Sequence, residues 1–477
     1  MVKKIIRTRF APSPTGFIHI GSVYGFLLDY AYAKGRGGQF ILRVEDTDQK
    51  RFVKEAEEHL YKGMNWLGII PDEGPKKGGP HNPYRQSERL DIYQKYARQL
   101  IDQGDAYYCF CSPERLEKVR KKCRAEKRPP MYDRCCRKMS KKEAEERVKK
   151  GEKAVVRMKI PDNEVIRAVD LIRGEIKFES KHLDDQVILK SDGFPTYHLA
   201  VVVDDHLMEV THVVRGHEWL PSFPKHVLLY RYFGWKIPKM IHTPVILDPE
   251  GGKLSKRKSN TALAWYQEQG FLPEAILNYL GLMGWSHPKG KDIFSLKEYL
   301  KYFDLKDVSP ASPAFDLIKL EWMNGVYIRS KKDGELVKLI KPFLPQMSES
   351  QIQLAVPLIK ERIKKFSEAK ELLEFVWRCP KYGKDLLLKK IDQKTAKEML
   401  FKAKEVIEKV GIKKTRVLQE KLMSLIKKKN WKTGKFFMVL RVAVCAKPIT
   451  PPILESLPLI GQKGTLKRID LAIKKLS

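Results

Sequence analysis

The opening stretch, from Ile5 to Thr47, constrains the fold most. IIRTRFAP is a β-rich run that enters the turn-forming cluster Pro12-Ser13-Pro14-Thr15-Gly16. From Gly21, GSVYGFLLDYAYAK carries apolar residues at helical spacing and ends near Gly35 or Gly37. QFILRVEDT then reads as a buried strand with carboxylates at its C-terminal end. Strand, glycine turn, helix and strand make a βαβ unit, which predicts a doubly wound parallel sheet of Rossmann type, an α/β class. A helix is expected over about 54–67, closed by Gly68. A second begins after Ser87, and DAYYCFC (105–111) reads as a further strand.

The chain then changes character. Residues 112–190 open with a basic helix from Pro113 to about Lys127 and pass through a cysteine cluster. They turn strand-like in AVVRMKI, EIKFES and DDQVILKS, the pattern of an α+β insertion. YHLAVVVDDHLMEVTHVVRG (197–216) reads as apolar strands bounded by Asp204–Asp205 and Gly216, and a helix is expected over 223–233. After KIPKMIHTPVIL comes a glycine-bearing loop, DPEGGKLSKRKSN (248–260). From Thr261 the pattern is mostly helical, and past Arg329 almost wholly so.

At 477 residues the chain suggests about three domains. No run of 18 apolar residues occurs, so no transmembrane helix is expected, and MVKKIIRTRFAP lacks the apolar core of a secretory signal. The expectation is a cytoplasmic protein. With 92 Lys/Arg against 58 Asp/Glu the net charge is +34, which favours polyanionic partners. The excess is concentrated: residues 326–477 hold 36 basic and 15 acidic side chains, +21 in 152 residues. A lysine bias shared by every protein of the same source is the alternative origin of that excess. Of the seven cysteines, five fall between Cys109 and Cys136. In a reducing compartment they read as a metal site or as bystanders, not as a disulfide frame.

Two segments carry phosphate chemistry. PSPTGFIHIGS (12–22) joins a strand to a helix N-terminus, where free N–H groups and the dipole favour anions. Gly16 and Gly21 permit close approach of a nucleotide, and Thr15 and His19 offer donors. The segment is not a Walker loop, and His19 alone reads more readily as the cap of an ordinary strand–helix turn. KLSKRK (253–258) places Lys253 and Lys256 where they can clamp a pyrophosphate as charge builds on it. Alone, it reads as a solvated basic loop.

Together, HIGS and KLSKR about 230 residues later resemble the two signatures of class I aminoacyl-tRNA synthetases. RFAPSPTG (9–16), RVEDTD (43–48), YRQSER (84–89), LKSDGFPTYHLA (189–200), VVDDHLM (202–208), RGHEWL (215–220) and WMNGVYIR (322–329) narrow the resemblance to the bacterial-type glutamyl-tRNA synthetase family. It covers residues 5–329 strongly, and only general helical character matches beyond. The resemblance implies a Rossmann catalytic domain (1–110 and 191–240) split by an acceptor-end-binding insertion (111–190). A stem-contact domain with the KLSKR loop (241–328) and an all-helical anticodon-binding region (329–477) would follow. It implies a mostly monomeric enzyme using ATP and Mg2+ to activate glutamate and transfer it to tRNA(Glu).

Site roles carry over with the resemblance. Thr15, His19 and Gly21 match the ATP phosphate region, Ile246 a position whose backbone reads adenine, and Lys253 and Lys256 the two lysines of the phosphate loop. His19, Lys253 and Lys256 are thus the catalytic set. Arg9, Ser13, Glu45, Tyr197 and Arg215 match the glutamate pocket, with Glu218 and Trp219 beside it. Cys109, Cys111 and Cys136 match a zinc pattern of some members, but Lys138 stands at the usual fourth ligand, leaving Cys135, Cys123 or Tyr132 to complete it. Arg362 falls near a position that reads an anticodon base, where arginine accompanies discrimination between tRNA(Glu) and tRNA(Gln). Ser22 replaces a second signature histidine, and His217 stands where acidic residues are frequent. Glutaminyl-tRNA synthetases are the near alternative; they show PEPNG where this chain has PSPTG, and a β-barrel anticodon region. A non-catalytic tRNA-binding paralogue is the alternative from another class, opposed by the presence of His19, Lys253 and Lys256.

Overall fold

The strand β1 (Arg7–Phe10) and the strand β2 (Gln39–Leu42) pair in parallel, Arg7 against Gln39 and Phe10 against Leu42. Helix α1 (Ile20–Lys34) makes the crossover, as the opening stretch predicts. Its apolar residues Val23, Phe26, Leu27 and Ala31 are fully buried. At the entry to β2 a Cβ on Gly38 would meet the Ile6 carbonyl oxygen at 2.3 Å, so only glycine fits without a backbone shift. This structure, a computed structural model, describes residues 5–51, 53–252, 254, 261–379, 381–389 and 391–477.

Next come α2 (Ala56–Trp66), α3 (Leu90–Gln103), β3 (Ala106–Cys109), α4 (Pro113–Ala125) and α5 (Lys141–Lys149). Then follow β4 (Val155–Met158), β5 (Val165–Asp170), β6 (Gly174–Glu179), β7 (Val187–Leu189), α6 (Tyr197–Leu207), β8 (His212–Gly216), α7 (Phe223–Tyr232) and β9 (Lys239–Thr243). β8 and β9 are parallel, His212 against Lys239 through Gly216 against Thr243. The hairpin β5–β6 extends this sheet, β5 meeting β9 at Asp170 and Met240, in the order β6-β5-β9-β8. β1 lies alongside β8, where the Thr211 N–H donates to the Arg7 carbonyl at 2.9 Å. β3, β4 and β7 form a separate antiparallel sheet carrying Cys109 at the end of β3.

One expectation is corrected. Residues 197–207 are not a strand but α6; only 212–216 of that segment is extended. Leu199 through Asp205 are all buried, so the helix has no polar face to reveal its period, and its three consecutive valines imitate a strand. Asp204 and Asp205 explain the choice. Neighbours on a helix point about 100° apart, whereas on a strand they face opposite sides. As helix neighbours, Asp204 accepts from Arg89, Gln86 and Tyr93, and Asp205 from Arg9 and Arg43. Removing one partner of such a buried pair costs about 3–5 kcal/mol, more than the few tenths by which each valine disfavours helix.

The chain divides into two units, Met1–Ala264 with Leu277–Asp316, and Trp265–Ile276 with Leu317–Ser477. In the first, α6 and α7 pack Leu199, Val202, Leu228 and Leu229 against Ile166 and Met240 of the sheet. The second has no strand among its described residues. Its core draws on Ile352, Leu400, Leu422, Leu440 and Ile469, one from each of five helices.

Candidate active site

The carboxyl ends of β1, β2, β8 and β9 and the N-terminus of α1 open on one cleft of about 1200 Å³. Ligands of open α/β sheets collect at such ends. The residues matched to ATP and glutamate by resemblance and lying within the described chain all line it: Arg9, Ser13, Thr15, His19, Gly21 and Glu45 from the first half, and Tyr197, Arg215, Glu218, Trp219 and Ile246 from the second. Lys253 and Lys256 lie outside the described residues. The described residues nearest them bond to the rim. The Leu254 N–H donates to the Ile246 carbonyl at 3.1 Å, and the Ile20 N–H donates to the Thr261 carbonyl at 2.8 Å. Thr261 and Ala262 therefore pair with the HIGS segment, about 240 residues away in sequence.

At the phosphate end, His19 is the N-cap of α1, its Nδ1 accepting the Ser22 N–H at 3.2 Å while its ring lines the cleft. Capping and cleft exposure thus coexist. A Cβ on Gly21 would come within 3.2 Å of His19 Nδ1, so glycine keeps this ring in place.

At the other end a chain of buried charges fixes the pocket wall. Arg9 Nε donates to Asp205 Oδ1 at 3.0 Å and Arg9 Nη1 to the Val214 carbonyl at 3.2 Å. Arg43, wholly buried, donates to the same Asp205 oxygen at 2.8 Å and to Glu45 Oε1 at 2.9 Å. Burial would raise the Asp205 carboxyl, but Arg9 and Arg43 outweigh it and hold it below its ordinary value. Burial raises Glu45, opposed by Arg43 and Arg9. The Tyr197 and Trp219 rings lie 4.4 Å apart, closing one side.

Arg215 is engaged differently. It donates from Nε to His242 Nε2 at 2.9 Å, and from Nη1 to His226 Nδ1 at 3.0 Å and Tyr197 Oη at 3.3 Å. Its Nη2 is buried and has no hydrogen-bond partner. Arg215 thus lines the cleft with a guanidinium held by neutral partners and paired with no carboxylate among the described residues.

Sequence reading missed Arg43, Asp205, His226 and His242. The first two sit inside the quoted RVEDTD and VVDDHLM, and carboxylates or arginine within apolar runs were the available signal. The histidines give no local signal.

Away from the cleft, Cys109, Cys111 and Cys136 place their sulfurs within 4.8 Å of one another. Cys135 joins them, its Sγ at 3.6 Å from Cys111 and 3.8 Å from Cys136. A zinc tetrahedron with Zn–S of about 2.3 Å separates its sulfurs by about 3.8 Å, so Cys109, Cys111 and Cys136 are grouped closely enough for three ligands, with Cys135 beside two of them. Cys123 lies apart, against the Met131 carbonyl, and Cys109 Sγ donates to Tyr132 Oη at 3.4 Å. Arg362 is exposed in the second unit, just past the helix Glu349–Ile359. Among the described residues no helix is long and apolar enough to cross a membrane.

Comparison with known proteins defines the class. The family described as tRNA synthetases class I (E and Q), catalytic domain, matches residues 5–322, and an anticodon binding domain matches residues 335–473. The chain belongs to the class I tRNA synthetases of this group. A glutamate-tRNA ligase of Treponema denticola is 40% identical over 98% of this chain and 99% of its own length; one of Acidothermus cellulolyticus is 43% identical over 98% and 95%. The crystal structure of a glutamate tRNA ligase from Elizabethkingia meningosepticum, in complex with its amino acid, superposes with a TM-score of 0.92 at 36% identity, covering 99% of this chain and all of that one. Within the group, then, the chain is one of the glutamate-tRNA ligases.

Proposed function

We propose that the cleft activates glutamate with ATP and that the adenylate so formed is transferred to the 3′ end of tRNA(Glu) in the cytoplasm, by a monomer. The Arg215 guanidinium, on the cleft wall and paired with no carboxylate among the described residues, carries the amino-acid assignment. Arg9 and Arg215 grip the side-chain carboxylate, Glu45 takes the α-ammonium, and Ser13, Tyr197, Glu218 and Trp219 complete the pocket. Thr15, His19, Gly21 and the Ile246 backbone hold ATP, which arrives with Mg2+ on its phosphates. The α-carboxylate is already ionised and attacks the α-phosphate in line, with pyrophosphate leaving. No general base is required, so the residues act by positioning and by charge. Lys253 and Lys256 supply that charge on the leaving phosphates.

The domain assignment is likewise our reading. Residues 1–110 and 191–240 form the catalytic domain, 111–190 the acceptor-end insertion, 241–328 the stem-contact domain and 329–477 the anticodon-binding region. The +21 of residues 326–477 supports tRNA binding there, with Arg362 as an anticodon contact. ATP–pyrophosphate exchange tests the whole: exchange should depend on glutamate, not glutamine, and should rise on adding tRNA(Glu). Exchange driven equally by glutamine would favour the glutaminyl alternative, and none under any condition would favour a non-catalytic paralogue.

Zinc would be held by Cys109, Cys111 and Cys136 with Cys135 as the fourth thiolate, a closed set suited to a structural role. Elemental analysis should find about one zinc per chain after purification in zinc-containing buffer, and Cys135→Ser should release it at lower chelator concentration. Metal-free protein under those conditions would make the cysteines bystanders.

A further inference from the structure

Arg215 has five N–H donors, and its neighbours engage three. The Nε proton goes to His242 and the two Nη1 protons to His226 and Tyr197, leaving Nη2. No carboxylate pairs with Arg215 among the described residues, whereas Arg9 is paired with Asp205.

An arginine only donates, so both histidines must accept, and that fixes their protons. His242 uses Nε2 toward Arg215, so its proton sits on Nδ1 and is donated to Asp170 Oδ2 at 2.7 Å. The same carboxylate oxygen accepts the His242 backbone N–H at 2.9 Å. His226 uses Nδ1, so its proton sits on Nε2 and is donated to His198 Nδ1 at 3.1 Å. Each imidazole has one partner in front and one behind, and only one tautomer satisfies both.

The fold delivers this arrangement. Arg215 and His242 are register partners on β8 and β9, so their side chains leave one face of the sheet together. Asp170 comes from β5, beyond β9. His226 lies on α7 and His198 on α6, the helices covering that face. Burial, with the charge of Arg215, holds His226 well below its ordinary value. Burial also lowers His242, against its bond to Asp170, and pushes His198 down to about 3.

We infer that His226 and His242 are positioning residues of the glutamate pocket, neutral acceptors that fix the Arg215 guanidinium at the cleft wall without neutralising its charge; this rests on Arg215 being the carboxylate-binding arginine. A carboxylate in either place would cancel the charge and repel the incoming anion.

Two near-isosteric pairs isolate the acceptor. Asn carries an oxygen where His226 has Nδ1, and Leu has the same shape without it. Gln and Met stand in the same relation to His242 Nε2. His226→Leu and His242→Met should each raise the glutamate KM about tenfold or more, with kcat at saturating glutamate and the ATP KM within about threefold of wild type. His226→Asn and His242→Gln should stay within about threefold in glutamate KM. Equal glutamate KM values within each pair would overturn the inference. Should a variant fail to fold, histidine-selective 15N NMR of the wild type decides. It should show His242 protonated on Nδ1 and His226 on Nε2 at neutral pH, and the opposite tautomer or a doubly protonated ring at either site would overturn it. Arg215→Ala serves as the separate control: unchanged glutamate KM there removes the pocket reading itself, whereas a raised KM with equal pairs removes only the histidine role.

Discussion

Replacing Arg215 by alanine is expected to raise the glutamate KM about a hundredfold or more and to shrink the preference for glutamate over glutamine. The magnitude follows from leaving the substrate carboxylate in a buried site without one of its two cationic partners, a loss of about 3–5 kcal/mol, at about 1.4 kcal/mol per factor of ten. The selectivity follows from chemistry. Glutamate and glutamine are nearly isosteric, so shape does not separate them. A pocket wall of guanidinium donors does, because the glutamine amide turns N–H groups toward N–H groups and leaves donors unpaired at about 1–3 kcal/mol each. Arginine suits the role better than lysine because its planar fork holds its donors in fixed directions. The check is kcat/KM for both amino acids in wild type and variant, with circular dichroism to confirm folding, since His226 and His242 lose their donor. A glutamate-to-glutamine ratio that does not move would take Arg215 out of the pocket.

Lys256→Ala is expected to slow adenylate formation about 10²–10³-fold while ATP affinity changes little, the loss associated with one preorganised electrostatic contact made mainly in the transition state. Lys256 lies outside the described residues; of the described ones nearest it, Leu254 bonds to Ile246 and Thr261 to Ile20. Single-turnover adenylate formation is the measurement. A variant within threefold of wild type would leave the KLSKR segment as a solvated basic loop.

The two results separate the halves of the cleft. The arginine change acts on ground-state binding of the amino acid and appears in its KM. The lysine change acts on charge that develops only as pyrophosphate leaves and appears in the rate.

Where sequence reading succeeded and failed has a common physical origin. The opening βαβ unit with helix α1 was legible because glycine and proline punctuate its ends, and the helical second unit because its helices turn one face to the core. α6 was not. Buried all round, it offers no amphipathic period, and its valines read as strand until Asp204 and Asp205 are seen meeting Arg89 and Arg9 from distant parts of the chain. β5 escaped notice as well, though it supplies Asp170.

The sequence by itself determined the family, the catalytic signatures and the list of side chains facing the cleft, because each sits in a short motif whose spacing is set by a local strand end or helix start. The tertiary structure alone decided how those side chains are held. Arg43, Asp205, His226, His242 and Asp170 stand behind the pocket wall on separate elements, so no local spacing links them to it. Their roles depend on hydrogen-bond directions and burial, which exist only once strand register and helix packing have brought the donors and acceptors within about 3 Å. The four sulfurs follow the same division. Cysteine spacing proposed three ligands, and only the folded turn brought Cys135 beside Cys111 and Cys136 while leaving Cys123 against a carbonyl.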